Sequence, residues 1–122
     1  MKTGIDLIEI ERIKIALNRS GKKLEKMIFT QDELLNIGDV FENIERAAGY
    51  WATKEAAVKA LGTGFNLGIT FQNIEILYSQ LGAPYLKLNG KFEEQMLKAG
   101  LKASNVSISH TKNYAVAIVN LW

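Results

Sequence analysis

Three stretches of this chain carry residues that could do chemistry. In Gly4-Ile5-Asp6-Leu7-Ile8 a carboxylate interrupts an apolar run. A charge among apolar neighbours is costly unless it is paired or bound to a cation. Asp6 is therefore either a ligand for a positive ion or a cap for the helix that follows. In Lys54-Glu55-Ala56-Ala57-Val58-Lys59 the Glu55 and Lys59 side chains are four residues apart and share one helix face. On a solvated helix that would be a weak surface pair. Here the neighbours Ala52, Ala56, Ala57, Val58, Ala60 and Leu61 are small and apolar, so the helix packs on most sides and both charges need partners. Gly62-Thr63-Gly64 follows: either a plain helix stop or a place where backbone comes close to a ligand. It is not a P-loop, since GxxxxGK[ST] is absent. Ser107-Ile108-Ser109-His110-Thr111-Lys112 holds the only histidine. Hydroxyls, an imidazole and an ammonium gathered at a hairpin end suit a phosphate; a polar turn would have the same composition.

These groups need elements to position them. Met1 to Ile8 reads as a short strand ending near Asp6 and Leu7. Glu9 to Arg19 repeats Ile10, Ile13 and Leu17 at helical spacing, Ser20-Gly21 breaks it, and Lys22 to Phe29 adds a further turn or two with Leu24, Met27 and Ile28 inward. Thr30-Gln31-Asp32-Glu33 has the form of a capping box, opening a helix that Gly38 stops after Ile37. The strongest helix runs from about Ile44 to Leu61 and ends at Gly62. Ile69 to Tyr78 alternates as a strand, Gly82-Ala83 turns, and Tyr85 to Leu88 returns. Lys91 to Ala99 is a short helix; Asn105 to His110 and Asn113 to Leu121 are two strands joined around Thr111-Lys112. Helices dominate the first half and antiparallel hairpins the second, which is an α+β pattern: antiparallel sheet packed against helices, including one long central helix. No linker or repeat divides residues 1–122, so a single domain is expected.

Bulk properties exclude several classes. With 48% hydrophobic and 23% charged residues the composition is that of a folded domain rather than a disordered chain. The absence of cysteine excludes disulfides, thiolate catalysis and cysteine-held zinc. A formal charge of +2 does not call for nucleic acid, and few aromatics accompany the basic cluster of Arg12, Lys14, Arg19, Lys22, Lys23 and Lys26. That cluster could instead steer an acidic partner, or be a solvated helix face. No apolar run reaches the roughly 20 residues of a membrane span, and Asp6 breaks any N-terminal signal core. The expectation is a soluble, cytoplasmic protein without membrane or nucleic-acid partners. A lone domain of this length buries only about two thirds of its unfolded surface, so a deep cleft would be easier to build between subunits.

Taken in order, Gly4-Ile5-Asp6 through Arg12-Ile13, Phe29-Thr30 with Glu33-Leu34, Lys54-Glu55-Ala56 through Gly64, and Ser107 through Thr111 resemble the four motifs of the small 4′-phosphopantetheinyl transferases of the holo-acyl-carrier-protein synthase type. The resemblance spans nearly the whole chain. It implies transfer of 4′-phosphopantetheine from coenzyme A to a serine of an acyl carrier protein, with Mg²⁺ as cofactor and adenosine 3′,5′-bisphosphate as leaving group. It implies Asp6 and Glu55 as metal ligands, Lys59 on the phosphates, and His110 as a further catalytic residue. Gly62, Thr63, Gly64, Ser107, His110 and Thr111 would hold the nucleotide, and Arg12 with the basic stretch after it would dock the carrier protein. The serine's proton would go to Glu55, His110 or a bound water. The family works as a homotrimer with sites between subunits.

One residue departs from the pattern. The family usually carries Arg before the aromatic residue of the central helix, and this chain has Gly49-Tyr50-Trp51. Tyr50 cannot fork onto a phosphate; Arg46, one turn earlier, is the nearest substitute. The departure keeps a rival in play, a non-catalytic coenzyme A or carrier-protein binding module of the same fold.

Overall fold

The computed structural model describes all 122 residues, Met1–Trp122. In chain order the elements are β1 (Lys2–Glu9), α1 (Ile10–Ile28), α2 (Gln31–Ile37), α3 (Ile44–Leu61), β2 (Ile74–Tyr78), β3 (Pro84–Leu88), α4 (Gly90–Lys98), β4 (Ser104–His110) and β5 (Tyr114–Leu121), with a 3₁₀ turn at Phe71–Asn73 before β2. Two antiparallel sheets form, one with the strand order β1-β5-β4 and one of β2 with β3. The α+β architecture expected from the sequence is the one observed.

Helix α3 is the axis of the molecule. Twelve of its residues are buried, on every side of the helix, including Ala52, Ala56, Ala57 and Ala60. A helix apolar all round belongs inside a core rather than on its surface. Around its C-terminal half pack Ile74, Phe92, Met96 and the inward residues Ala117, Val119 and Leu121 of β5. Around its N-terminal half pack Ile10, Ile13, Leu17 and Ile28 of α1, Ile37 of α2 and Phe29 between them.

The small residues of α3 let β1 lie on it at unusual proximity. A Cβ built on Gly4 would stand 1.9 Å from the carbonyl oxygen of Ala56 and 2.5 Å from the amide of Ala60. Only glycine fits there, and the contact fixes the register of β1 on the helix.

Several local expectations are corrected. Strand β1 runs one residue past the Met1 to Ile8 read from the sequence and does not fade near Asp6 and Leu7, because Asp6 pairs with Ala117 and Glu9 with Tyr114 in an unbroken ladder. Asp6 is therefore no helix cap; Glu9 occupies that position, without a side-chain capping bond. Met27 is 54% exposed where an inward residue was expected. The kink at Gly21 (φ 61°, ψ −150°) resets the helical phase between the two halves of α1. The segment before β2 is not strand throughout: Asn73 accepts from the Thr70 amide and caps a 3₁₀ turn over Phe71–Asn73. The Thr30–Glu33 capping box and the glycine stops at Gly38 and Gly62 are present as read.

Candidate active site

The strand-on-helix contact at Gly4 carries the site. Two residues beyond Gly4, on the same inward face of β1, Asp6 reaches the C-terminal half of α3. Its Oδ1 accepts from Lys59 Nζ at 2.8 Å, and the same ammonium donates to the Ile5 carbonyl at 3.1 Å. The Asp6 side chain is 14% exposed and that of Lys59 54%. A cleft of about 310 Å³ opens beside them, with Asp6, Glu9, Arg12, Trp51 and Glu55 in its wall. Glu55 is one turn before Lys59 on the same side of α3, as the four-residue spacing requires.

The electrostatics of the pair are those of two carboxylates short of positive charge. Burial raises the Glu55 carboxyl above the ordinary glutamate value, and the negative charge of Asp6 raises it further; the Trp51 side chain and the Lys59 ammonium act in the opposite direction. A divalent cation between the two would relieve that repulsion. No group of three or more His, Cys, Asp or Glu side chains comes together anywhere in the chain. Two carboxylates fit Mg²⁺, which keeps several waters and is usually held by one or two carboxylates plus substrate phosphates. They do not make the four-ligand set of a structural zinc site.

Arg12, on the first turns of α1, borders the same cleft. Arg12, Lys14, Arg19, Lys22, Lys23 and Lys26 are all exposed along α1.

The remaining candidates are not brought to this cleft within one chain. Gly62, Thr63 and Gly64 turn the chain at the C-terminal end of α3, where Gly62 adopts φ 84° and Thr63 Oγ1 bonds the Gly64 carbonyl at 2.9 Å. Ser107 stands on the outward face of β4, opposite Ile118. Thr111 shapes the β4–β5 turn, its hydroxyl accepting from the Tyr114 amide at 3.2 Å. His110 borders one cleft with Leu7, Ser109, Thr111 and Tyr114. It borders another with Arg46, Gly49, Tyr50 and Tyr78. Gly49 and Gly62 are about 20 Å apart along the helix axis, so the glycine-rich turn and the histidine clefts lie toward opposite ends of α3.

Arg46 and Tyr50 do share a cleft, as their one-turn spacing suggested. Arg46 Nη1 donates to the Asn36 carbonyl at 2.9 Å. Tyr50 is 1% exposed and its hydroxyl has no hydrogen-bond partner.

Sequence reading missed two features near the site. Trp51 and Glu9 border the metal-type cleft; the first was legible as the aromatic residue one turn before Glu55. Lys54, next to Glu55, is fully buried and donates to Glu33 Oε1 at 2.6 Å, the Ile28 carbonyl at 2.7 Å and the Phe71 carbonyl at 3.1 Å. No pattern in the sequence distinguishes that lysine from a surface one.

Comparison with known proteins places this geometry. Residues 2–119 match the family model of the 4′-phosphopantetheinyl transferase superfamily. A holo-[acyl-carrier-protein] synthase of Verminephrobacter eiseniae is 43% identical over 117 residues, which is 96% of this chain and 89% of that protein. The solved structure of Helicobacter pylori holo-[acyl-carrier-protein] synthase in complex with coenzyme A superposes with a TM-score of 0.85 at 29% identity, covering 98% of this chain and 99% of that one. The synthase of Neisseria meningitidis superposes at 0.90 with 26% identity, covering 99% and 97%.

Proposed function

The chain belongs to the 4′-phosphopantetheinyl transferase superfamily, among the holo-[acyl-carrier-protein] synthases, and on that premise we propose how it works. Coenzyme A is the donor, a carrier-protein serine is the acceptor, and adenosine 3′,5′-bisphosphate leaves. The single observation that carries this reading is the meeting of Asp6 and Glu55, 49 positions apart in the sequence, at one cleft.

The serine hydroxyl attacks the phosphorus next to pantetheine, and the bond from that phosphorus to the bridging oxygen breaks. Negative charge then grows on the departing phosphate. Asp6 and Glu55 would hold Mg²⁺, which when bound supplies Lewis-acid charge and a template for the diphosphate. Lys59 adds a second positive charge where the leaving group develops its own. Glu55 and His110 are the two side chains available to take the serine proton, a contribution of about 10²- to 10⁴-fold. Arg12 and the basic face of α1 receive the acidic carrier protein.

The assembly is a homotrimer with shared sites, and the exposed face of the sheet supports it. On the outward face of the three-stranded sheet Ile5 lies opposite Ile118 and Leu7 opposite Val116. Ile5 and Leu7 are 54% and 65% exposed, unusual for neighbouring apolar strand residues. Covering that face with another copy would bury it. It would also carry Ser107, His110 and Thr111 toward the neighbour's Gly62–Gly64 turn and complete a nucleotide site that one chain leaves divided. Light scattering tests the stoichiometry: a mass of three chains is expected, and a monomer at working concentration would refute it. For the reaction, mass spectrometry of an apo carrier protein incubated with coenzyme A should show the gain of one phosphopantetheine with Mg²⁺ and none with chelator. No gain in either condition would refute the assignment.

A further inference from the structure

We propose that Lys59 is a built-in counter-ion that occupies Asp6 until coenzyme A arrives, so that the diphosphate must draw this ammonium away before Asp6 can hold a metal at full strength. The inference rests on Asp6 being a metal ligand and concerns the order in which the site fills.

Three features support it. Lys59 Nζ bonds the very oxygen, Asp6 Oδ1, that faces the helix, at 2.8 Å, and anchors itself on the Ile5 carbonyl at 3.1 Å. A magnesium ion sits about 2.0–2.1 Å from its ligand oxygens, too close to an ammonium on the same carboxylate for both to stay without strong repulsion. The two residues are also unequal in freedom. Asp6 is fixed in a strand clamped to α3 at Gly4, with its side chain 14% exposed, whereas Lys59 sits on the last turn of α3 with its side chain 54% exposed. Of the pair, only the lysine can move, on a flexible four-carbon stem. Finally, the balance of charge changes with substrate. Asp6, Glu55 and Lys59 sum to one negative charge, and Lys59 is the only cation hydrogen-bonded to either carboxylate. A diphosphate offers the ammonium more negative charge than one aspartate. Lys59 then passes to the phosphates, where transfer needs it, and frees Asp6 in the same movement. Binding of coenzyme A and metal is thereby coupled through one side chain, with the nucleotide favoured first.

Calorimetric titration of MgCl₂ into the 122-residue protein without coenzyme A tests this. Lys59→Met should bind Mg²⁺ about two- to fivefold more tightly than wild type, the range an exposed ion pair is worth. In a separate titration with coenzyme A, Lys59→Met should bind the nucleotide more weakly than wild type. Arg12→Met is the control for loss of positive charge, since Arg12 borders the cleft but has no hydrogen bond to Asp6. It should tighten Mg²⁺ less than Lys59→Met. Unchanged or weaker Mg²⁺ binding by Lys59→Met, or equal tightening by both variants, would overturn the counter-ion role. Asp6→Asn separates the two levels of the claim: it should abolish uptake. If it binds Mg²⁺ like wild type, the metal assignment itself falls, whatever Lys59 does.

Discussion

Gly4 of β1 and Ala56 of α3 touch backbone to backbone, with no room for even one carbon between them: an added Cβ would come within 1.9 Å of the Ala56 carbonyl oxygen. The strand and helix that bring Asp6 to Glu55 and Lys59 are held at this point. Gly4→Ala must push β1 off the helix. Overpacking of a tight core costs about 1–3 kcal/mol, and a clash with backbone belongs at the upper end. The variant should melt well below wild type and lose transfer activity even at temperatures where it remains folded, because Asp6 moves away from Glu55. Wild-type turnover in a folded Gly4→Ala protein would show that the contact does not set the site.

Next to Glu55, the buried Lys54 binds α3 to three other segments at once. Its partner Glu33 is also fully buried, and the second Glu33 oxygen accepts from the Ile76 amide at 2.8 Å. Removing one member of such a pair leaves an unpaired charge inside the protein and costs about 3–5 kcal/mol. Lys54→Met should therefore destabilise strongly in urea melts. Lys54→Met with Glu33→Gln should recover part of the loss, since the amide oxygen can still accept from Thr30 or Ile76 while the charge is gone. No recovery would mean that the lost hydrogen bonds, not the charge, dominate.

The raised carboxyl of Glu55 has a sign that can be tested. The native state holds this proton more tightly than the unfolded chain, so stability falls as pH rises from the ordinary glutamate value through the raised one. Above that window the cost is fully present; below it there is none. In the presence of chelator, Glu55→Gln should melt higher than wild type at pH 7, and the difference should close as pH drops below the glutamate range. A Glu55→Gln protein less stable than wild type by the same margin at every pH would contradict this. The expected result would make Glu55 a residue whose ionised form costs the fold for the sake of the reaction.

The basic face of α1 should be felt in recognition rather than chemistry. Arg12→Ala is expected to raise the apparent KM for carrier protein about two- to fivefold, the worth of an exposed charge pair. The effect should shrink as salt is added, with little change in the KM for coenzyme A. Equal effects on both substrates would remove the docking role.

Much of this was readable in the sequence because the elements obey local rules. The small apolar residues that surround Lys54, Glu55 and Lys59 in 44–61 mark α3 as an interior helix, the Thr30–Glu33 box marks the start of α2, and the alternation of 105–110 and 113–121 gives β4, β5 and their faces. What was not readable depends on contacts far apart in the chain. Gly4 looks like an ordinary strand glycine until Ala56 lies on it. Lys54 and Lys59 both sit among small residues of one helix, yet one is fully buried and the other half exposed, because the helix turns one toward α2 and the other toward the strand edge. Met27 was misassigned because Glu25, an acidic residue, takes the inward place on the second half of α1 beside Leu24 and Ile28. The separation of His110 from Asp6 is likewise set by the sheet: β5 lies between their strands, and His110 is level with Ile8 rather than with Asp6.

The account stands on Asp6 and Glu55 acting together on one metal ion. The most direct test is transfer of phosphopantetheine to apo carrier protein, followed by mass spectrometry at saturating Mg²⁺, with Asp6→Asn and Glu55→Gln each shown to be folded. Loss of a ligand should cost each variant about 100-fold or more in rate, and excess metal should not restore either. Wild-type rates from either folded variant would contradict the central claim.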